Sequence, residues 1–373
     1  MRKLLLVLGL YSFLNATETR ANSIIQEYND FGNANYLLDD EFIIKFYPSV
    51  LFVFPNHISL EANRNGNYAY GTVFFRNERI GVGAFVSRRF HYSYNYQNYS
   101  DEFTFTPLDI VFGLKFNKIL LGLNFNYSSI GNDSFLVGFG DSLRNNLLGF
   151  TPSFSYLISE NSGLNFSYLV LNNSYSRIRN NLLYSAKYST NAILMRFYRG
   201  SIILPIIYGS TSFSINAPDG GIDPDSESVS NLLKIGLGLN KKIQDLGFFI
   251  FAIQYENIKI KSQDNNTNSN LEDNVNILGF VSGGEAKFLA SWLRVRGGIS
   301  YNISLTRQSQ YKYPDTKVYY NRIGAFGDIS FGLGISTEIF KVDFDFTKDL
   351  FYNGPQFISG NGLGFNMSIL ANF

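Results

Sequence analysis

Leu363-Gly364-Phe365-Asn366-Met367-Ser368-Ile369-Leu370-Ala371-Asn372-Phe373 closes the chain, and its period of two decides the fold. A strand points successive side chains to opposite faces. Leu363, Phe365, Met367, Ile369, Ala371 and Phe373 therefore share one face, and Gly364, Asn366, Ser368, Leu370 and Asn372 share the other. The first face suits hydrocarbon and the second, mostly small or polar, suits a wet interior. The same parity recurs upstream. Leu121, Leu123, Phe125 and Tyr127 alternate with Gly122, Asn124, Asn126 and Ser128, and Leu233, Ile235, Leu237 and Leu239 alternate with Lys234, Gly236, Gly238 and Asn240. Leu293, Val295, Ile299, Tyr301 and Ile303 oppose Arg294, Arg296, Gly298, Ser300 and Asn302, while Phe340, Val342, Phe344 and Phe346 oppose Lys341, Asp343 and Asp345. A one-residue slip would turn every one of these groups to the wrong side.

The composition agrees with such strands. Of 373 residues 17% are aromatic, with 36 Phe and 25 Tyr, and 16% are charged, against about 25% in ordinary soluble domains. Phe and Tyr favour strands, and a lipid-facing exterior has no use for solubilising Lys and Glu. No mature stretch offers the roughly 20 apolar residues of a spanning helix. A net charge of +1 without a Lys/Arg cluster excludes an electrostatic case for nucleic acid. The absence of Cys excludes disulfides, lipid attachment at Cys and thiolate metal sites.

Met1-Arg2-Lys3 followed by the apolar run from Leu4 to Leu14 and the small residue Ala16 reads as a secretory signal, cut after Ala16 or as late as Ala21. Residues 17–48 form an N-terminal periplasmic or lumenal segment. From 49 to 373 the chain repeats a strand, a tight turn, a second strand and a longer polar loop, the layout of a transmembrane barrel with short periplasmic turns and long outer loops. Short turns fit at Arg76-Asn77, Phe116-Asn117, Glu160-Asn161, Arg199-Gly200, Gln244-Asp245, Ala290-Ser291 and Thr337-Glu338. Longer loops fit at about 88–103, 129–145, 172–182, 215–230, 261–274, 305–322 and 348–361. The prediction is an all-β, antiparallel up-and-down transmembrane barrel. It has sixteen strands if 49–62 and 67–75 form the first hairpin of the wall, and fourteen if they lie outside it.

Candidate chemistry is sparse. Gly81-Val82-Gly83, Gly236-Leu237-Gly238, Gly332-Leu333-Gly334 and Gly362-Leu363-Gly364 lead into no helix and read as small inward-facing residues rather than nucleotide loops. With His57 and His91 the two histidines of the chain, a hydrolase mechanism would have to use one of them, and no serine motif adjoins either. No cofactor is implied. The loop with Asp219, Asp223, Asp225 and Glu227 is a weak Ca²⁺ candidate whose spacing is not that of an EF-hand. Lys234, Arg294, Arg296, Lys341, Asp343 and Asp345 stand out, because charge at membrane depth must face water or an opposite charge. They either set a selectivity field along a solute path or pair across the inner wall to stiffen it.

The alternating tail Phe365, Met367, Ile369, Ala371, Phe373 resembles the C-terminal signal of bacterial outer-membrane barrels, which the barrel-assembly machinery reads. Leu38-Asp39-Asp40-Glu41-Phe42, Phe46-Tyr47-Pro48-Ser49 and Pro55-Asn56-His57, together with the tail Leu350-Phe351-Tyr352-Asn353-Gly354-Pro355-Gln356, resemble the ends of the FadL/PorV-like superfamily. That group usually carries Asn-Pro-Ala near the first point, where this chain has Tyr47-Pro48-Ser49. The resemblance implies fourteen strands, an N-terminal segment in the lumen, and uptake of hydrophobic molecules or a part in secretion. The expectation is thus a non-enzymatic channel or transporter in the outer membrane of a Gram-negative-type bacterium, with lipid and small or hydrophobic solutes as partners. A structural or secretion-partner barrel of little conductance is the alternative, and an outer-membrane hydrolase the third.

Overall fold

In the structure, a computed structural model, the described residues are 41–62, 69–86, 90–96, 99–105, 108–136, 139–159, 161–179, 182–216, 226–264, 269–313, 316–321, 323–337, 339–346 and 365–372. Residues 1–40, the 350–356 tail quoted for the family resemblance, Phe373, and Asp219, Asp223 and Asp225 lie outside them. Glu227 falls on a strand rather than in a loop.

The chain runs through β1 (His57–Ala62), β2 (Ala69–Arg76), β3 (Ile80–Val86), β4 (Phe90–Tyr96), β5 (Tyr99–Phe105), β6 (Leu108–Phe116), β7 (Ile119–Leu136), β8 (Phe139–Ser159), β9 (Ser162–Arg179) and β10 (Leu182–Arg199). It continues through β11 (Ile202–Asn216), β12 (Ser226–Ile243), β13 (Gly247–Asp264), β14 (Ser269–Phe288), β15 (Ala290–Tyr313), β16 (Thr316–Asn321), β17 (Gly324–Ser336), β18 (Phe340–Phe346) and β19 (Phe365–Asn372). Each wall strand pairs antiparallel with its neighbours, and the last returns to the first: Ile58 lies opposite Ala371 and Leu60 opposite Ile369. Among the described residues the main sheet holds seventeen strands, of which β16 pairs with the upper part of β15 while β15 also pairs directly with β17. Sixteen strands therefore close the ring. β1 and β2 are both in it, which settles the count against the fourteen that the family resemblance implies. Closure gives every wall strand a partner on both sides among the described residues.

Parity is as the sequence dictates. On β7, Leu121, Leu123, Phe125 and Tyr127 are 38 to 51% exposed, whereas Asn124, Asn126 and Ser128 are 1 to 4% exposed. Ile235 and Leu237 point outward and Lys234 inward, and Ile299 and Tyr301 outward with Arg294, Arg296, Ser300 and Asn302 inward. On the closing strand Ile369 is exposed while Ser368 and Leu370 are buried. The inner face also carries cross-strand hydroxyl pairs, Ser59 with Thr72 at 2.6 Å and Thr190 with Thr211 at 3.0 Å, and Asn126 donates to Asp109 at 2.7 Å.

Two expectations need correction. Residues 88–103, 129–145, 172–182, 261–274 and 305–322, read as long loops, are largely paired strand: β4 with β5, and the outer reaches of β7 through β10 and of β13 through β16. Beyond the hydrocarbon no face needs to be apolar, so alternation fades there although backbone pairing goes on. Residues 49–53, read as the start of the first strand, lie in the 3₁₀ helix Pro48–Val53 instead, and the wall begins at His57. The tight turns fall where expected, except that the one between β14 and β15 is centred on Leu289 rather than Ala290-Ser291.

Candidate functional site

Two features occupy the interior near the short turns. The first is built by the chain before β1. Glu41–Lys45 and Pro48–Val53 form successive 3₁₀ turns, the second started by Pro48, whose fixed φ suits a helical first turn. The backbone of Pro48 and Ser49 lies so close to Gly122 of β7 that a Cβ there would overlap it. A Cβ on Gly81 would come 2.7 Å from Leu51 Cδ2, and one on Gly113 2.9 Å from Phe52 Cε2. Glycines on β3, β6 and β7 thus form the seat of this segment. Hydrogen bonds fix it: the Ser49 amide donates to Ser153 Oγ at 2.6 Å, and the Ser49 and Ser155 hydroxyls pair at 2.7 Å.

Against the seat, among buried polar groups such as Asn124, Ser153 and Ser155, lies an apolar cluster. Ile43, Ile44, Tyr47, Val50, Leu51 and Phe54 of the inner segment form one buried cluster with Phe74, Phe85 and Val111, and with Ala192, Leu194, Ile203, Ile207, Ile250, Ala252 and Val281 of β10, β11, β13 and β14. Apart from Tyr47, quoted for the family resemblance, none of this cluster was named from the sequence. β11 begins Ile202-Ile203-Leu204-Pro205-Ile206-Ile207, and a strand apolar on both faces shows no period of two.

The second feature is the set of inward charges. Arg296 is gripped from two sides, its Nε donating to Glu285 Oε2 at 2.7 Å and its Nη2 to Asp343 Oδ1 at 2.6 Å, with Nη1 near the Leu333 carbonyl at 3.3 Å. Arg294 lies 3.7 Å from Glu285 and donates to the Ser291 carbonyl at 2.8 Å. Arg296 sits on β15 and Asp343 on β18, so the guanidinium crosses β17, and Gly334 provides the gap: a Cβ there would stand 2.8 Å from both the guanidinium carbon and Asp343 Oδ1. Lys341 and Asp345 share the buried inner face of β18. Lys234 does not join this group, pairing instead with Glu256 across the β12–β13 register at 2.8 Å. The pair is dry, with side chains 2 and 3% exposed. Glu285 and Glu256, the partners of the predicted cations, were missed.

His57 packs against Phe74 with the rings tilted by 47° and their centres 4.8 Å apart, and places Nδ1 3.1 Å from the Pro55 carbonyl. Among the described residues no group of acidic or histidine side chains is arranged to hold a metal.

A closed antiparallel barrel, apolar towards the outside and polar or paired towards the inside, is an outer-membrane β-barrel. No family model matches the chain, and no curated protein does. Solved outer-membrane barrels do. The toluene transporter TodX of Pseudomonas putida is 12% identical over 95% of this chain and 97% of its own, with a TM-score of 0.39. A FadL homologue of Pseudomonas aeruginosa is 12% identical over 88% and 93%, with a TM-score of 0.37. CdiB from Escherichia coli is 9% identical over 86% and 63%, with a TM-score of 0.43.

Proposed function

We propose that the protein passes small apolar molecules across the outer membrane, with residues 41–54 stopping the short-turn end of the lumen, and that it is not an enzyme. The observation that carries this reading is the apolar cluster joining Ile43, Ile44, Val50, Leu51 and Phe54 to Ile203, Ile207, Ile250 and Val281. A water-filled pore is lined mainly by polar groups, and an apolar constriction in it stays closed to ions by dewetting. This stretch of the inner wall offers a hydrophilic solute little, but it receives an apolar one when the inner segment moves aside. The charges support the same reading. Each cation in the pairs of Lys234 and Arg296 is matched by carboxylate and shut away from water, so it braces the wall and adds little field to a path.

Planar-bilayer recording and liposome swelling on the full chain test the proposal. The expected result is little ohmic conductance and no swelling with sugars, yet uptake of a small aromatic hydrocarbon. Leu51→Asp, which sets a charge in the cluster, should bring conductance steps. Large steps in the unmodified protein would sink the stopped lumen, and absence of hydrocarbon uptake would favour the structural or secretion-partner role.

A further inference from the structure

We propose that one side of the short-turn rim is sunk into lipid: the turns β12–β13, β14–β15 and β17–β18 form an apolar crescent in the headgroup layer of the periplasmic leaflet, while the remaining turns stand in water. The inference depends on insertion in a membrane and not on what the barrel carries.

The three turns are neighbours around the ring. At their tips stand Leu246, 57% exposed, Leu289, 93% exposed, and Ile339, 57% exposed. The turns of the other sector carry Asn77, Glu78 and Arg79, then Asn117 and Lys118, then Asn161, then Gly200 and Ser201. Leu289 is the sharpest case. Its φ of 56° lies in the left-handed region, where a bulky side chain crowds the backbone. At the comparable positions, φ 55°, 59° and 44°, the chain places Asn117, Gly200 and the polar Gln244, of which Asn and Gly tolerate it. A leucine kept in that conformation, contributing nothing to the interior, has a use if its tip meets an apolar medium.

The crescent is continuous with the lipid face. On β12, Ile235 and Leu237 lead down to Ile243, and on β13 the outward Ile253, Phe251 and Phe249 lead down to Leu246, all exposed. The Lys287 amide donates to the Leu246 carbonyl at 2.7 Å, tying two of the turns side by side. Phe288, Trp292 and Phe340, each about half exposed, stand at the same level, where aromatic side chains gather at membrane interfaces. Lys241 and Lys242 are exposed at the foot of β12, and long cationic side chains there reach lipid phosphates while their stems stay in apolar surroundings.

The chain has no Cys, so single cysteines at Leu246, Leu289 and Ile339, and at Glu78, Lys118 and Asn161 for comparison, can be spin-labelled after refolding into phosphatidylethanolamine–phosphatidylglycerol vesicles. The first three labels should collide freely with oxygen and several-fold less with a water-soluble nickel chelate than the other three. Equal nickel access at all six would overturn the proposal in favour of a wholly aqueous rim. Slow motion with access to neither relaxer would overturn it in favour of a second copy covering the crescent. The single Trp of the unmodified chain, Trp292, gives a reading without substitution: phospholipid brominated near the headgroup should quench it strongly, and quenching by aqueous acrylamide instead would count against the sunken rim.

Discussion

Arg296 shows how one residue brings three strands together. Its guanidinium spans from Glu285 on β14 to Asp343 on β18 because β17 presents glycine between them. Gly334→Ala should therefore cost about 1–3 kcal/mol, as overpacking does, read as a lower urea midpoint of the refolded barrel. Gly297→Ala, whose new Cβ would have the Ser330 carbonyl oxygen at 3.6 Å as its nearest neighbour, should leave the midpoint nearly unchanged. The buried pair on β12–β13 makes a second comparison. Lys234→Ala takes from the buried Glu256 the ammonium 2.8 Å away and should cost about 3–5 kcal/mol. Lys261→Ala breaks a pair whose side chains are 72 and 58% exposed and should cost under about 1 kcal/mol. The cations were legible in the sequence because they alternate with outward apolar residues. Of their carboxylates Asp343 was legible in the same way, but Glu285 and Glu256 were not. In Gly279-Phe280-Val281-Ser282-Gly283-Gly284-Glu285-Ala286 the inner face holds Val281 and the outer face Ser282 and Gly284, so polarity does not say which way Glu285 points.

At the scale of elements, the tight turns and strand parity could be read because lipid on one side and water on the other force a contrast at every step. The contrast disappears in two places. Above the hydrocarbon both faces are wet, and the outer hairpins look like loops in sequence although they are paired. Inside the lumen, Val50, Phe52 and Phe54 alternate as a strand would, yet they belong to or follow a 3₁₀ helix that is buried on several sides. What identifies that segment is its seat on Gly81, Gly113 and Gly122, visible only once β3, β6 and β7 lie side by side. Gly122→Val should displace it, since the added side chain overlaps the Pro48–Ser49 backbone. Hydrogen exchange of the amides at 49–53 should accelerate while β7 and β8 keep their protection, and conductance should appear. Slow exchange at 49–53 in this variant would show that the segment is held by its other contacts.

The whole molecule is defined by where the ring closes. Sequence alone left fourteen and sixteen strands open, because β1 is short and follows an apolar stretch that also looks like strand. In the sixteen-strand ring β1 lies between β2 and β19, with Leu60 opposite Ile369 and Glu61 opposite Ser368. In a fourteen-strand ring β1 and β2 would stand outside the wall, β19 would meet β3 instead, and Leu60 would be far from Ile369. Directly opposed side chains on neighbouring strands place their Cβ atoms about 4.5–5.5 Å apart, near enough for a disulfide after slight adjustment. The chain contributes no cysteine of its own. Leu60→Cys with Ile369→Cys should therefore oxidise to a cross-linked monomer that migrates differently from its reduced form after boiling, and whose unfolding midpoint falls on reduction. Leu60→Cys with Ser368→Cys puts the two thiols on opposite faces of the wall and should not cross-link. Cross-linking of the second pair but not the first would mean that the seam is shifted by one residue, and cross-linking of neither would return the count to fourteen.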